Sequence, residues 1–316
     1  MVMIDILKYK QDMKDEWDKF VESSKNGTFL LKRDYMEYHK SRFLDYSLVF
    51  KVKGKVVALL PANISDDIVY SHQGLTYGGF ICGYAMNASL MGDLIVSLED
   101  NLRNSGIRKL IIKRIPHIYE SAPSEDDLYI FHKIQAKLIR RDLATTIAFP
   151  NRIPYDRLRK RRLKRAQDLG IRVTESDDFR DFWMILTENL KSRYGKLPVH
   201  SLEEIEYLKK LFPNNIRLFT SLYKEQIVSG VVVYETSTVA HLQYSASSEF
   251  GKKISAEDPI IDYLIGYYSS NKNYLDFGIS TEDDGKYLNS NLLFYKEGFG
   301  GRSVVYDFYE VSISGE

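Results

Sequence analysis

The order of helix-like and strand-like segments repeats once along this chain, and the repeat restricts the possible folds more than any single motif does. In the first half, two alternating apolar runs about a Lys-Gly turn predict a hairpin over Tyr46–Ile64. A third strand-like run covers Ile68–Ile81, a helix-like stretch covers Leu90–Arg103, and a buried-strand pattern covers Lys109–Ile115. This half is therefore predicted to contain a hairpin, a third strand, a crossover helix and a final strand.

The second half shows the same succession after two helix-like stretches. Its predicted segments are helices over Phe179–Tyr194 and Leu202–Leu211, a hairpin over Asn214–Glu235, a strand over Val239–Ser248, a helix over Pro259–Ser269 and a strand over Tyr274–Ile279. Aligning Lys55 with Gln226 and Leu110 with Leu275 gives two offsets that differ by only a few residues. We therefore interpret the chain as a tandem duplication of a mixed α/β unit.

The length of 316 residues also favours two domains, because single hydrophobic cores rarely grow beyond about 250–300 residues. Two prolines in Phe149–Tyr155 mark a junction where no helix can continue. We predict an N-terminal domain over residues 1–150 and a C-terminal domain over residues 151–316.

Composition excludes several classes of protein. The formal net charge is +1, so attraction to a polyanion must come from a local cluster of charges. Cys82 is the single cysteine, which excludes an intrachain disulfide framework, and the six histidines lack zinc-site spacing, so we expect no metal. No secretory signal and no apolar run long enough for a transmembrane segment is present, so we expect a soluble, cytoplasmic protein.

The most basic segment follows the junction. Seven of the nine residues in Arg157–Arg165 are basic, and the apolar residues of Asp156–Leu169 fall on one side of a helical wheel. One interpretation is a solvated helix whose charges neutralise nearby acids such as Asp177, Asp178 and Asp181. The other is a docking face for a polyanion, either a nucleotide-bearing donor or RNA.

In such a unit the helix that connects the third strand to a parallel fourth strand leaves a ligand crevice at the strand ends. The segment after the third strand, Ser245–Pro259, is rich in serine and also carries one glycine and two lysines, although it matches no phosphate-loop pattern. We take Ser247, Gly251, Lys252 and Lys253 from it as candidate donor-binding residues.

The second half also resembles a known family. Tyr274–Arg302 (YLDFGISTEDDGKYLNSNLLFYKEGFGGR) is similar to the closing pattern of the FemAB family, in which two Gcn5-related N-acetyltransferase (GNAT) units are fused. Lys191–Ile205, His241–Lys252 and Leu75–Phe80 support the resemblance. It implies two acetyltransferase-like domains, the first degenerate and contributing to the acceptor cleft, the second binding the donor and carrying catalysis.

The resemblance implies acyl transfer to an amine, which needs a base, a polarised carbonyl and fixed geometry. Asp276 or Glu282 is then the base and Lys296 balances anionic charge. The alternatives are a structural ion pair at Asp276, a surface lysine at Lys296 and a solvated acidic turn at Glu282. The candidate substrate-binding residues that the resemblance implies are Arg193, Tyr194, His200, Gln243, Tyr244, His72 and Tyr77.

We therefore expect an N-acyltransferase that uses acyl-CoA or aminoacyl-tRNA and acts on an amine of a sugar or a cell-envelope (peptidoglycan) precursor. Ile153–Ile171 has room for one helix rather than the long arm of the bridge-forming members of the family, which favours acyl-CoA. The alternatives are a tRNA-dependent FemAB-type peptidyltransferase, with tRNA on the basic helix, and a non-catalytic polyanion- or RNA-binding protein with the same fold. A structural subunit of an envelope assembly is a third possibility.

Overall fold

A computed structural model describes residues 2–313, apart from the side chain of Tyr194, as two compact units. Unit 1 runs to Asp142 and adds Asp283–Gly285 and the chain from Val305 onward. Unit 2 comprises Leu143–Glu282 and Lys286–Val304. The predicted junction near residue 150 therefore lies inside unit 2, and the last strand returns to unit 1.

The N-terminal part of the chain, up to the end of the first long strand, forms these elements: β1 (Asp5–Lys8), α1 (Lys14–Ser23), α2 (Arg33–Glu37), β2 (Leu44–Asp45), β3 (Leu48–Val52), β4 (Lys55–Leu60), β5 (Asn63–Ser65), β6 (Ile68–Tyr70), β7 (Ile81–Cys82), α3 (Ala88–Asn104), β8 (Lys109–Lys113), α4 (Asp126–Lys133) and β9 (Lys137–Ala148). The remainder forms α5 (Arg157–Asp168), β10 (Arg172–Ser176), α6 (Arg180–Tyr194), α7 (Leu202–Leu211), β11 (Ile216–Tyr223), β12 (Gln226–Glu235), β13 (Val239–Ser247), α8 (Glu249–Ile254), α9 (Asp258–Tyr268), β14 (Tyr274–Ile279), β15 (Thr281–Glu282), β16 (Tyr287–Leu288), α10 (Ser290–Glu297) and β17 (Arg302–Ser312). Within residues 2–313, none of these helices combines the length and apolar character that crossing a lipid bilayer requires.

Unit 1 contains two sheets. One has the strand order β1–β3–β4–β7 and the other has the order β17–β8–β6–β5–β2, in which β6 and β8 are parallel and joined through α3. Buried residues of α3 such as Met91, Leu94 and Leu98 belong to one cluster with strand residues of this unit, including Val311 of β17. Unit 1 therefore has a core of its own, and the C-terminal strand is part of it.

The third strand-like run of the first half does not form one strand. The structure divides Ile68–Ile81 into β6 and β7, which lie in different sheets of unit 1. His72 and Gly79 between them have positive φ angles of 65° and 82°, which interrupt extended backbone. At Gly78 a Cβ atom would come within 1.9 Å of the Ser71 carbonyl oxygen, so the chain packs against itself here. The prediction of a single third strand in this half is therefore wrong.

Unit 2 contains a mixed sheet with the strand order β10–β11–β12–β13–β14–β9. Neighbouring strands in this sheet are antiparallel, except that β13 and β14 are parallel and are connected through α8 and α9. The apolar side of α9, with Ile260, Ile261 and Leu264, packs in a core cluster with sheet residues such as Phe219 and Leu275. The crossover predicted for this half is confirmed.

The hairpin turns and the capping box of α7 form as the sequence predicts. Both hairpins turn through two residues with positive φ angles, Lys53 and Gly54 in unit 1 and Lys224 and Glu225 in unit 2, as the right-handed twist of paired strands favours. Helix α7 begins with a capping box between Ser201 and Glu204, as the Ser-x-x-Glu spacing predicts. These features depend on residues close in sequence, which is why they could be predicted.

Candidate active site

Strands β13 and β14 of unit 2 run side by side for a short distance and then separate. Their parallel register covers only three pairs and ends at His241 opposite Asp276. Beyond that point β13 continues along β12 as far as Ser247, after a bulge that leaves Gln243 without a partner residue in β12. Since parallel strands that part leave a crevice at their carboxyl ends, this is where a ligand site is expected.

A cavity of about 700 Å³ lies at this end of β13. One wall is a face of α6 with helical spacing, from Leu186 through Asn189 and Leu190 to Arg193. The remaining lining residues come from the end of β13, from α8, from the residue before α9 and from α10 with its N-cap: Ser245, Ala246, Ser247, Lys252, Glu257, Asn289, Asn291, Leu292 and Tyr295. The lining therefore combines a few apolar side chains with many polar and charged ones, which can orient a polar substrate.

Hydrogen bonds fix the polar rim of the cavity. The Asn189 amide nitrogen donates to the backbone oxygens of Ile185, at 2.9 Å, and Ser247, at 2.8 Å, and so ties α6 to the end of β13. Asn289 caps α10 by accepting from the Leu292 amide at 3.0 Å. These bonds position the helices around the cavity before any ligand binds.

Glu257 is the one carboxyl group among the described residues that line the cavity. It is the N-cap residue of α9 and is partly buried. Burial, reinforced by the negative charge of Asp258, raises the pKa of Glu257 to about 7, against the lowering effects of Ser245, Tyr295 and Arg159. A carboxyl group that titrates near neutrality in a cavity can exchange protons with a substrate.

Asp258, the next residue, is engaged in a different way. Its Oδ2 accepts from an Arg159 guanidinium nitrogen at 2.8 Å, and both side chains are almost fully buried. The Arg159 guanidinium also lies over the rings of Tyr295, at 4.5 Å, and Phe299, at 5.0 Å. This cluster joins α5, α9 and α10 behind the cavity, and Arg159 is therefore not part of an exposed basic face.

Three of the predicted site residues line the cavity: Arg193, Ser247 and Lys252. Arg193 and Lys252 are exposed at its edge, and Lys252 forms an ion pair with Glu249 at 2.5 Å. The Ser247 hydroxyl lies 2.9 Å from that of Ser229. The two cations are positioned for an anionic substrate group at the cavity mouth.

Asp276 lies inside the sheet rather than in the cavity. It is fully buried; its carboxylate lies 2.8 Å from His241 Nδ1 and accepts from the Thr146 hydroxyl at 3.1 Å and the Gly278 amide at 3.0 Å. These bonds span the register shift between β14 and β9. We therefore revise the role expected for Asp276, because a fully buried, hydrogen-bonded carboxylate holds the strands and does not reach an amine in the cavity.

Lys296 is also buried, with 5% of its surface exposed. Its Nζ donates to the backbone oxygens of Gly278 at 2.8 Å and Ile279 at 2.7 Å, just beyond Asp276. Burial lowers the pKa of Lys296 to about 8, although Asp276 and Glu257 favour its charged form. The lysine therefore lies behind the cavity wall, one residue from Tyr295, rather than on the surface.

FemX covers 98% of this chain, which covers 97% of FemX, with 12% sequence identity and a TM-score of 0.71. This chain has the FemX fold. L-PGS from Bacillus licheniformis shares the fold, with 10% sequence identity, a TM-score of 0.59 and coverage of 98% of this chain and 94% of L-PGS. A tandem GNAT protein from the clavulanic acid biosynthesis pathway also shares it, with 8% identity, a TM-score of 0.52 and coverage of 99% of this chain and 100% of that protein. No protein-family model matches the sequence, and no curated protein is significantly similar to it.

The FemX-like fold confirms the predicted fold class, an α/β architecture with acetyltransferase-like mixed sheets, and the resemblance to FemAB-type proteins.

The other predicted site residues of unit 2 lie outside the cavity lining. His200 is buried and contacts the Tyr244 hydroxyl through Nδ1, and Tyr244 also packs edge-on against Trp183. Glu282 is exposed and accepts from Asn289 at 2.8 Å. The rest are Gln243, at the bulge, Gly251, buried in α8, and Lys253, exposed; the side chain of Tyr194 lies outside the described residues.

The two predicted residues of unit 1 are buried. Tyr77 is 1% exposed, donates to the Thr28 hydroxyl at 3.1 Å and packs against Tyr119. His72 is 4% exposed and packs against His39 and Phe43. Their surroundings indicate structural roles, so we no longer place a substrate on them.

Helix α5 forms as predicted, and its exposed cations are Arg157, Lys160, Arg161, Lys164 and Arg165. The ion pairs recorded for residues 2–313 do not join them to Asp177, Asp178 or Asp181, and Asp177 instead pairs with Lys209. A groove of about 890 Å³ runs beside α5, lined in part by Lys160, Lys164 and residues of α9. The first turn of α9 separates this groove from the cavity, because Glu257 lines one and Pro259 the other.

Sequence analysis missed Glu257, Tyr295 and the asparagines of the cavity rim. A weak signal was present, since Glu257 and Asp258 are two adjacent acids directly before Pro259 at a predicted helix start. What distinguishes them, burial of one beside a cavity and pairing of the other with Arg159, depends on residues distant in sequence.

Proposed function

We propose that this protein is an N-acyltransferase that moves an acyl or aminoacyl group from an activated donor to a primary amine, in the cavity of unit 2. The observation that carries the proposal is the position of that cavity, at the point where β13 leaves β14, with a carboxyl group inside and two cations at its edge. An amine attacking a carbonyl needs a base nearby, and an anionic donor or acceptor needs positive charge at the entrance.

The proposed donor is a CoA thioester or an aminoacyl-tRNA, and the proposed acceptor is an amine on a sugar or a cell-envelope precursor. The likeness to FemX and to a tandem GNAT protein supports this donor class. The FemX and L-PGS likenesses are the basis for proposing acceptors of the cell envelope.

The test is direct transfer. Radiolabelled acetyl-CoA and alanyl-tRNA are incubated separately with the protein and with glucosamine or a lysine-containing peptide, and label in the amide product is counted. We expect transfer from one donor and a loss of at least about 10-fold when Arg193 is changed to Ala, because a cation at the cavity edge is removed. Absence of product from both donors would overturn the proposed function.

The five exposed cations of α5 favour aminoacyl-tRNA as the donor, which reverses the preference for acyl-CoA drawn from the sequence. Lys160→Glu with Lys164→Glu should weaken tRNA binding and flatten its salt dependence, whereas Lys40→Glu with Lys55→Glu, on exposed lysines of unit 1, should not. Filter binding at several salt concentrations measures the affinity for tRNA and its salt dependence for each double variant. Equal loss in the two double variants would return the preference to acyl-CoA.

A further inference from the structure

We propose that Glu257 is the catalytic base that takes a proton from the attacking amine. This inference rests on the proposed acyl transfer and adds the group that makes the amine nucleophilic. It replaces Asp276 and Glu282, the residues that the sequence favoured for this role.

The position of Glu257 separates it from the other acids of unit 2. Asp276 is fully buried, Asp258 is paired with Arg159, and Glu282 is exposed and bound to Asn289. Glu249 is exposed beside Lys252. Glu257 alone among the cavity-lining residues of the described chain carries a carboxyl group, and it is sheltered without being sealed from the cavity.

The groups around Glu257 come from every element packed against it. The negative charge of Asp258, the next residue, adds to burial in favouring the protonated form of Glu257. The Ser245 hydroxyl from β13, the Tyr295 hydroxyl from α10 and the Arg159 guanidinium from α5 favour the carboxylate.

Two further influences on the carboxylate come from its own helix and from α10. Glu257 occupies the N-cap position of α9, whose dipole favours negative charge, and Lys296 interacts electrostatically with it from behind the wall. Burial exceeds these effects, so the pKa of Glu257 reaches about 7. Compared with an ordinary glutamate near 4.5, this carboxylate binds a proton more strongly and is therefore the better base toward an ammonium.

The proposed step balances in protons and bonds. The Glu257 carboxylate takes one proton from the acceptor ammonium, and the neutral amine forms a C–N bond with the donor carbonyl carbon. The C–S or C–O bond to the leaving group breaks, and the second nitrogen proton leaves with the thiolate or alkoxide. Glu257 then returns its proton to water, so each turnover makes one amide and one thiol or alcohol and releases one proton.

The experiment compares the wild type with Glu257→Gln and, as a matched control, Glu249→Gln, which changes an exposed carboxyl group near the same cavity. The reaction is transfer from acetyl-CoA or alanyl-tRNA to glucosamine or the lysine peptide, whichever pair the wild type uses. We expect kcat to fall at least about 100-fold in Glu257→Gln with KM changed less than about 3-fold, and the control to stay within about 3-fold of the wild type.

The pH profile adds a readout that a structural role would not move. Wild-type kcat should rise with pH through about 7 and then level off, and this rise should be absent in Glu257→Gln, whose residual rate should recover with added small carboxylate or amine bases. A wild-type enzyme that transfers acyl groups while Glu257→Gln retains its rate and pH profile would overturn this inference and leave the proposed function standing. No transfer by the wild type would overturn both.

A measurement independent of turnover completes the test. In protein carrying ¹³C-labelled glutamate carboxyl groups, one NMR signal should titrate near pH 7 and be missing from Glu257→Gln but present in Glu249→Gln. A Glu257 signal that titrates near 4.5 would also overturn the inference.

Discussion

At the scale of single residues, burial and partners distinguish the carboxyl groups of unit 2 from one another. Asp276 is fully buried and has three hydrogen-bonding partners within the sheet, whereas Glu257 lines a cavity. The same functional group, a carboxyl, therefore holds strands together at Asp276 and faces a cavity at Glu257. Burial has a comparable effect on an imidazole in unit 1.

His72 provides a test of that burial through pH. Burial lowers the pKa of His72 to about 3; His39 lowers it further, Asp45 opposes this, and Arg33 and Lys113 have smaller lowering effects. Between pH 6.5 and about 3 the unfolded chain binds a proton that the folded chain does not, so the free energy of unfolding falls as the pH drops through this range. The slope from this residue approaches about 1.4 kcal/mol per pH unit.

The measurement is urea unfolding at several pH values between 7 and 4, for the wild type and for His72→Asn. Asparagine is chosen because it tolerates the positive φ angle of this position. The variant should lose stability less steeply as the pH is lowered, whatever its stability at pH 7. Parallel curves for the two proteins would contradict the assigned titration.

At the scale of secondary-structure elements, the contacts of α5 and α9 place the proposed base. The Arg159–Asp258 pair connects the two helices directly beside Glu257 and holds Arg159 over Tyr295. An exposed pair such as Arg172–Glu225, on β10 and the hairpin turn, holds nothing comparable in place.

Asp258→Ala leaves the Arg159 guanidinium buried without its carboxylate, so we expect it to reduce the free energy of unfolding by about 3–5 kcal/mol. Glu225→Ala should cost less than about 1 kcal/mol, because its ion pair is exposed to solvent. Arg159→Met combined with Asp258→Leu should recover much of the loss, since neither position then leaves an unpaired buried charge. Chemical denaturation measures all three, and equal effects of the two single changes would contradict the buried pairing.

At the scale of the whole chain, each unit is built from segments that are distant in sequence. Strand β17 follows the last helix of unit 2, yet residues Phe308–Ser312 pair with β8 of unit 1, and Val311 and Ile313 belong to the core of that unit. Unit 1 is therefore incomplete without the C-terminal end of the chain.

A fragment of residues 1–150, the domain expected from the sequence, should for this reason not unfold cooperatively by itself. It lacks the strand that covers β8, whose Leu110 and Ile112 are buried in the intact chain. Adding a peptide of residues 302–316 should restore a cooperative transition, and a peptide of the same composition in scrambled order should not. Circular dichroism during heating measures this; a cooperative transition of the fragment alone would show that β17 is dispensable.

The sequence alone determined the elements whose signals are local. The Lys-Gly turn of the first hairpin, the polar turn of the second, the capping box of α7 and the bounds of β14 follow from residues a few positions apart, because turns, caps and side-chain periodicity act over that range. The repeated order of elements was visible for the same reason, and with it the fold class.

Only the tertiary structure decided that β9 pairs with β14, that β17 pairs with β8, and which acid faces the cavity. The first half of β9 is mostly exposed and shows little apolar alternation, so nothing nearby in the sequence marks it as a strand, and β17 finds its partner about two hundred residues away. The pKa of Glu257 likewise depends on Arg159, Ser245 and Tyr295, which only the folded chain brings together. Burial and long-range pairing are properties of the packed chain, and no local pattern of residues encodes them.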